Sequence, residues 1–391
     1  MTPTPFRLQI PAEALHDLRR RLSQARYPDT APGEPWACGT DVDYMQTLLA
    51  YWRDQFDWRA QEARLNALPQ FKVQIDDADV HFLHVPGKRA TGGPEPTPLL
   101  LLHGWPGSVF EFIDIIERLT DPARFGGDPH DAFTVVAPSL PGFGLSYRPG
   151  HRYGLEAMSD LVARLMIDVL GYSRFAAQGG DWGSFVASRL AITHPKHLLG
   201  IHLNFMPLRR DGDLDPADPD QARYREELAL FLKEETGYQS IQGTRPQTLA
   251  FGLTDSPLGL AAWLIEKFQR WTDNDGNPEQ ALSRDVMLAN ISFYWFTGCI
   301  ASSFWPYYAR MRGPWPIAQD GGIRVPMGYI QFPREILRPP RSLAARSYAD
   351  IRRWTASERG GHFAALEQPA TLAHEIREFF RTLRSTPASQ R

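Results

Sequence analysis

Short apolar runs alternate with helical segments along most of this chain. The runs that predict buried strands lie at residues 98–103, 133–137, 175–177 and 198–203. Apolar strands separated by helices are typical of a parallel sheet that is covered by helices on both faces. After a long interruption, strands are predicted to resume at 323–332 and 347–353, before a final helix at about 370–384.

The N-terminal part of the chain has a different pattern. One helix is predicted from about Ala12, with an apolar stripe at every third or fourth position, and a second helix at 43–52. Apolar and polar residues then alternate in two segments, 71–75 and 80–85, which is the period of a strand with one buried face. We expect these segments to pair as a hairpin through a turn at 76–79.

The alternation of strands and helices stops after Met206. Helical stretches rich in aromatic residues continue to about Arg312. Insertions after the carboxyl end of a strand commonly cover a ligand crevice, so this one is predicted to be a lid. The predicted parts are an N-terminal segment, the first part of the core, the helical lid and the second part of the core, at 1–90, 91–205, 206–320 and 321–391.

An aspartate lies in a glycine-rich turn between a predicted strand and a predicted helix, in the sequence Gly179-Gly-Asp-Trp-Gly183. This pattern is typical of a nucleophile elbow, a strained turn that lifts one side chain clear of the sheet. Asp181 stands where a hydrolase would carry its serine. A carboxylate there can attack an sp³ carbon and form an ester. Taken alone, the run also fits an ordinary loop, because glycine and aspartate are common turn formers.

Two further segments that follow predicted strands add chemistry. The segment His103-Gly-Trp-Pro-Gly-Ser108 occupies the position from which α/β-hydrolases supply one N–H of the oxyanion hole. The residue after the nucleophile supplies the other N–H. The predicted donors are therefore the N–H groups of Trp105 and Trp182. His362 follows two glycines and comes last, as the order nucleophile, acid, histidine requires. A tight Pro-Gly turn and a structural histidine are the alternatives for these segments taken singly.

An acid that would orient His362 has four candidates between the lid and the histidine. They are Asp320, Glu335, Asp350 and Glu358. Glu335 is favoured, because it directly follows a predicted strand, at the edge where strand ends collect. A carboxylate there would fix the tautomer of His362 and stabilise its charged form.

Composition narrows the function classes. The 391 residues are 43% hydrophobic and carry a net charge of −3. The chain therefore lacks the excess of positive charge that is typical of proteins that bind nucleic acid or an anionic membrane. No signal peptide or bilayer-spanning run is evident, so a soluble, cytoplasmic protein without a membrane anchor is expected. Cys38 and Cys299 are expected to be free and buried. His81 and His84 have the wrong spacing for a shared metal site.

The chain resembles the microsomal-type epoxide hydrolases over nearly its full length. In the N-terminal part the resemblance rests on Phe6–Ile10, Tyr51–Arg53, Phe56–Arg59, Glu62, Leu65–Asn66 and Pro69–Phe71. In the core it rests on His103–Ser108, Gly142–Gly144, Gly179–Gly183, Phe332–Glu335 and Gly360–Ala365. The mammalian members carry an N-terminal membrane anchor, and this chain is expected to lack one.

This resemblance implies an α/β-hydrolase fold, with a mostly parallel sheet, a helical lid and an N-terminal extension. It implies that Glu335 is the charge-relay acid and that two lid tyrosines bind the epoxide oxygen. One maps onto Tyr238 and the other onto Tyr307, although the adjacent Tyr308 leaves an ambiguity of one residue. The expected substrates are a small lipophilic epoxide and water, without cofactor or metal, and a homodimer is possible.

Two other functions stay open at this stage. A haloalkane dehalogenase shares the aspartate nucleophile and the following tryptophan, but it requires N–H donors for the halide rather than paired phenols. A non-catalytic ligand receptor can keep the same fold and triad, since fold alone does not determine function.

Overall fold

The computed structural model describes residues 1–208, 214–317 and 321–384, and a nine-stranded sheet forms its centre. The strand order across the sheet is β1-β2-β3-β5-β4-β6-β7-β8-β9. The strands are β1 (Thr4–Phe6), β2 (Gln70–Ile75), β3 (Ala78–Val85), β4 (Thr97–Leu102), β5 (Phe133–Pro138), β6 (Phe175–Gly179), β7 (Leu198–Leu203), β8 (Met327–Gln331) and β9 (Ile351–Ala356).

The six strands from β4 to β9 are parallel, and β1 to β3 add an antiparallel end. The predicted hairpin is present, and its turn consists of Asp76 and Asp77. The leucines of β4 are fully buried because the strand lies inside the sheet and is covered on both faces. The mostly parallel α/β architecture predicted from the sequence is confirmed.

The predictions for the last two strands were wrong at their ends. Only Met327–Gln331 of the segment 323–332 forms a strand, because Pro326 has no N–H to donate to the neighbouring strand. Ile323 makes one isolated bridge to Tyr348. Residues 347 and 348 continue the turn of the preceding helix through N–H groups that donate to the carbonyl of Ala344. The strand there therefore begins only at residue 351.

Helices surround the sheet. In chain order they are α1 (Ala12–Ser23), α2 (Val42–Asp54), α3 (Trp58–Asn66), α4 (Ile113–Thr120), α5 (Leu155–Arg164), α6 (Asp181–Thr193), α7 (Pro219–Glu234), α8 (Gly237–Thr244), α9 (Pro246–Asp255), α10 (Pro257–Trp271), α11 (Arg284–Thr297), α12 (Ile300–Ser303), α13 (Trp305–Arg310), α14 (Arg341–Ala344), α15 (Ala364–Glu367) and α16 (Pro369–Arg384). In the core, α4 packs against α16, and α5 packs against α6.

The helices α7 to α13 lie between β7 and β8 in the chain, where the lid was predicted. The four-part division of the chain stays a prediction, and its boundary at 320 lies outside the described residues. Within the described part of the chain, no single helix has the length and apolar character needed to cross a membrane. Helices α9 and α10 reach those limits only together, and they are bent by 115° at their junction.

Helix α2 of the N-terminal part forms two side-chain hydrogen bonds with helix α11. Trp52 of α2 donates its indole N–H to Ser292 of α11 at 2.9 Å, in a buried contact, and the Tyr51 hydroxyl donates to Asp285 at 2.9 Å. These bonds hold α11 in place beside the core. Cys299, next to α12, is buried as expected, but Cys38 is exposed, because it lies in a surface turn between α1 and α2.

Candidate active site

Asp181 lies at the sharp turn between β6 and α6. Its φ is +44°, in the left-handed region that is strained for a residue with a side chain. The turn is tight because a Cβ at Gly183 would lie 2.1 Å from the carbonyl oxygen of Leu102. Only glycine permits that approach of helix to strand. The predicted elbow geometry is therefore present around this aspartate.

The carboxylate of Asp181 faces two groups from other strand ends. Its Oδ1 accepts the backbone N–H of Trp105 at 2.7 Å, and its Oδ2 lies 3.5 Å from Nε2 of His362. A Cβ at Gly104 would stand 2.2 Å from Oδ1, so that position must also be glycine. The amide of Trp182 belongs to the first turn of α6, where N–H groups lack helical partners. The structure thus brings the N–H of Trp105 to the predicted nucleophile, and Trp182, the other predicted oxyanion donor, follows Asp181 directly in the chain.

His362 is held between Asp181 and Glu335. Its Nδ1 lies 2.6 Å from Oε1 of Glu335, and both side chains are buried. Its backbone N–H donates to the carbonyl of Trp271 at 2.8 Å, so the lid helix α10 also fixes the histidine loop. Burial alone would lower the pKa of His362, but the charge of Glu335 and hydrogen bonds with Asp181 and Glu335 raise it to about 10.

The other three candidate acids do not share this geometry. Asp350 is bound by Arg352 at 2.8 Å on the surface. Glu358 is exposed in the turn after β9. Asp320 lies outside the described residues. Among the described carboxylates, Glu335 is the one that contacts His362 on the side away from Asp181.

Two lid tyrosines line the same cavity as Asp181, and each packs on the indole of a predicted oxyanion donor. Tyr238 of α8 stacks on Trp105 with ring centroids 5.3 Å apart, and Tyr307 of α13 meets Trp182 edge to face at 4.9 Å. The two phenol rings are 5.8 Å apart. Burial raises the pKa of Tyr307 well above its usual range, and the nearby Tyr238 and Asp181 raise it further.

Tyr308 has different surroundings. Its ring stacks on Trp305 at 4.6 Å, and the guanidinium of Arg312 covers it at 3.4 Å. The ring contacts of Tyr307 are with Trp105, Trp182 and Tyr238. The geometry therefore places Tyr307, and not its neighbour, beside Asp181.

A cavity of about 800 Å³ opens onto this group of residues. Asp181, Tyr238 and Tyr307 lie on its wall. The remaining wall is largely apolar and includes Phe185, Phe205, Leu232, Met311, Trp315 and Ile336. Such a cavity has the size and the character of a site for a lipophilic small molecule, with a few polar groups to orient it.

Known proteins are similar to this chain along nearly its whole length. Residues 3–112 match the family model described as epoxide hydrolase N terminus, and residues 97–236 match the alpha/beta hydrolase fold. A protein of Stigmatella aurantiaca assigned as an epoxide hydrolase is 45% identical over 98% of this chain and 86% of its own. Epoxide hydrolase 1 of Oryctolagus cuniculus is 36% identical over 96% of this chain and 88% of its own. The chain belongs to the epoxide hydrolase family.

A solved structure supports the same assignment for this epoxide hydrolase. The structure of Aspergillus niger epoxide hydrolase matches with a TM-score of 0.85 and 29% identity, and covers 98% of this chain and 97% of its own. The family, the α/β-hydrolase fold and the enzymatic nature predicted from the sequence are confirmed.

Sequence reasoning missed one residue of this epoxide hydrolase site, Glu111. Its Oε1 lies 1.5 Å from where a Cβ of Gly107 would be, so only glycine leaves room for the carboxyl group. Glu111 lines a small cavity together with Asp181 and His362. Burial raises the pKa of Glu111 to about 8, the charge of His362 opposes this shift, and Asp181 adds to it. No motif marks this glutamate, because the fold of the turn, rather than spacing, brings it there.

The cavity beside Glu111 has a volume of about 20 Å³, which is enough for one water molecule. Gln178 and Asn204 also line it, and the Gln178 amide donates to Asn204 at 2.6 Å. Among residues 1–208, 214–317 and 321–384, no group of three or more His, Cys, Asp or Glu side chains is placed to hold a metal ion.

Replacing Glu335 by glutamine is expected to lower the pKa of His362 below about 10, because the variant removes a buried negative charge beside Nδ1. The raised pKa stabilises the fold fully below the unfolded-state value of about 6.5, and that stabilisation is lost as pH rises through about 10. NMR titration of the His362 ring measures the shift. Asp350→Asn is the matched control and should leave this titration unchanged.

Proposed function

We propose that this epoxide hydrolase converts a lipophilic epoxide into a vicinal diol through a covalent ester on Asp181. The observation that supports this most strongly is the pair of neighbouring phenols, Tyr238 and Tyr307, that line the same cavity as Asp181. Opening an epoxide generates an alkoxide, which is a poor leaving group without a donor at its oxygen. Two phenols supply the donors, and the carboxylate supplies the nucleophile.

In the first step, Asp181 attacks one ring carbon in line, and the carbon–oxygen bond of the ring breaks. The ring oxygen takes the bonding pair and a proton from one of the lid phenols. With Oδ1 bound by the Trp105 N–H, Oδ2 is the attacking oxygen. Interactions that strengthen as charge develops on the ring oxygen lower the barrier, which is the role of phenol donors here.

In the second step, His362 takes a proton from water, and the water oxygen attacks the ester carbonyl. Esterification removes the negative charge of Asp181, which is one of the groups that raise the pKa of His362. His362 therefore becomes easier to deprotonate, and hence a better base, once the ester has formed. The N–H groups of Trp105 and Trp182 stabilise the oxyanion. As the bond from the carbonyl carbon to the alkyl oxygen breaks, that oxygen takes the remaining proton of the attacking water, the diol leaves, and Asp181 is again a carboxylate.

The cavity of about 20 Å³ is the proposed site of this water. It borders both Asp181 and His362, so a water there reaches base and ester at once. Protonated Glu111 could donate a hydrogen bond to the water oxygen, and as a carboxylate it accepts one. In either form it adds an anchor for the water beside the base.

The lid phenols provide a direct test. Tyr307→Phe is expected to lower diol formation from styrene oxide by roughly 10- to 1000-fold, as loss of one transition-state donor does. Tyr308→Phe is the matched control, since its ring packs outside the cavity, and turnover should stay within about twofold. Diol is measured by chromatography. Equal losses in the two variants would contradict the assignment of Tyr307.

Substrate assays separate the alternatives. Halide release from haloalkanes, with no diol from styrene oxide, would indicate a dehalogenase. Tight binding with negligible turnover would indicate a receptor. A panel of styrene, terpene and fatty-acid epoxides then defines the preferred ring, which we expect to be lipophilic because the cavity wall is largely apolar.

A cytoplasmic location and assembly as a homodimer belong to the same proposal. Fractionation of cells that express the full chain measures the first. Light scattering of the purified protein measures the second, and a molar mass of one chain across the working concentration range would contradict it.

A further inference from the structure

A buried lysine lies behind one of the two lid phenols. Lys267 of α10 is 5% exposed, and its Nζ stands 4.4 Å from the centre of the Tyr238 ring and 5.1 Å from that of Trp271. Glu266 pairs with the same ammonium at 2.5 Å and is itself partly exposed. The steps described above make no use of this charge.

Burying an ammonium is unfavourable unless its charge is compensated, and here Glu266 and two aromatic faces compensate it. A cation over a desolvated phenol ring also acts on the phenol. It stabilises negative charge that develops on the ring and on its oxygen as the O–H donates. Tyr238 should therefore be a stronger donor than a phenol without this neighbour.

The surroundings of the two phenols are unequal. Tyr238 contacts Trp105, Trp271 and Tyr307, and its hydroxyl oxygen accepts the amide of Gln239 at 2.8 Å. The ammonium of Lys267 lies over its ring, with Glu266 as counter-charge, and Asp181 lies on the wall of the same cavity.

Tyr307 has no such cation among its described contacts. Burial, the neighbouring Tyr238 and the negative charge of Asp181 hold its pKa well above the usual range, although a hydrogen bond from Trp182 opposes this shift. Its phenolate is therefore costly to form.

We propose that Lys267 is a positioning residue that makes Tyr238 the proton donor in ring opening, while Tyr307 keeps its proton and donates only a hydrogen bond. This rests on the proposed function. The alkoxide takes the Tyr238 proton as the bond from Asp181 to carbon forms. Once Asp181 is esterified, His362 releases one proton and the Tyr238 phenolate takes one up, so that the two changes balance. His362 then takes its next proton from the attacking water.

Rapid mixing of enzyme with excess styrene oxide measures the two steps separately, because indoles of Trp105 and Trp182 beside the ester report its formation. Lys267→Met keeps an unbranched apolar stem but removes the charge, and it should slow ester formation roughly tenfold. Ester hydrolysis should change by less than about twofold, since it does not use the phenol. Lys267→Arg keeps the charge and should restore most of the rate of ester formation.

A double-mutant cycle with Tyr238→Phe tests whether the effect passes through the phenol. In that background Lys267→Met should cause no further slowing of ester formation. A full additional tenfold loss would show that the lysine does not act through the Tyr238 hydroxyl, and would overturn the inference.

These experiments distinguish a failure of the proposed function from a failure of the inference about Lys267. If the wild-type enzyme forms neither ester nor diol from any epoxide tested, the proposed function is wrong. If the wild type forms both and Lys267→Met matches it in each step, only the inference about Lys267 is wrong. Thermal melting of each variant shows that the comparison is made between folded proteins.

Discussion

Asp181→Ala is expected to abolish diol formation, with turnover lowered by roughly 10⁴-fold or more, since the nucleophile of a covalent mechanism has no substitute. The residue stands at a φ of +44°, which asparagine tolerates better than alanine, so Asp181→Asn provides a second variant with less backbone change. Both are assayed for diol from styrene oxide at saturating substrate.

Asp350→Ala is the matched control for the nucleophile. Its carboxylate pairs with Arg352 on the surface, away from the cavity that opens onto Asp181, so turnover should stay within about twofold. Turnover by both Asp181 variants within tenfold of the wild type would show that another group, or water itself, opens the ring.

His362→Gln is expected to trap the ester, because the histidine acts as a base only in the second step. The variant should consume about one equivalent of epoxide and then stop. Intact-protein mass should increase by the mass of one substrate molecule, and fragmentation should place the increase on the peptide that contains Asp181. Diol release should fall by roughly 10³-fold or more.

A second histidine provides the control for this trap. His84 is half-buried and bonds to the hydroxyl of Tyr172 at 2.9 Å, away from the nucleophile, so His84→Gln should turn over normally and gain no mass. Multiple turnovers by His362→Gln, or an equivalent consumed without any mass increase, would contradict the proposed role of His362.

The sequence predicted those parts of the site that depend on strand ends. The three parallel strands before Trp105, Asp181 and Glu335 end at one edge of the sheet, so residues far apart in the chain meet there. The glycines around Asp181 added the local signal, since their positions leave no room for a Cβ. The family resemblance implied Tyr238 and Tyr307 in the lid, and both line the cavity beside Asp181.

Other features depend on packing between distant elements, which periodicity does not encode. Glu111 enters the small cavity only because the turn at Gly107 leaves space for its carboxyl. Lys267 looks like any charged residue in a helix, and only the fold places its ammonium on the ring of Tyr238. The start of β8 at Met327 was missed, because Pro326 interrupts an apolar run that otherwise has the strand pattern.

A single turnover in ¹⁸O-labelled water tests the covalent mechanism most directly. The enzyme is kept in excess over epoxide, so that each molecule reacts no more than once. Water attacks the ester carbonyl, and the alkyl group leaves with an oxygen that came from Asp181. The covalent mechanism predicts ¹⁸O in the peptide that contains Asp181 and an unlabelled diol. An ¹⁸O-labelled diol with an unlabelled Asp181 would contradict it.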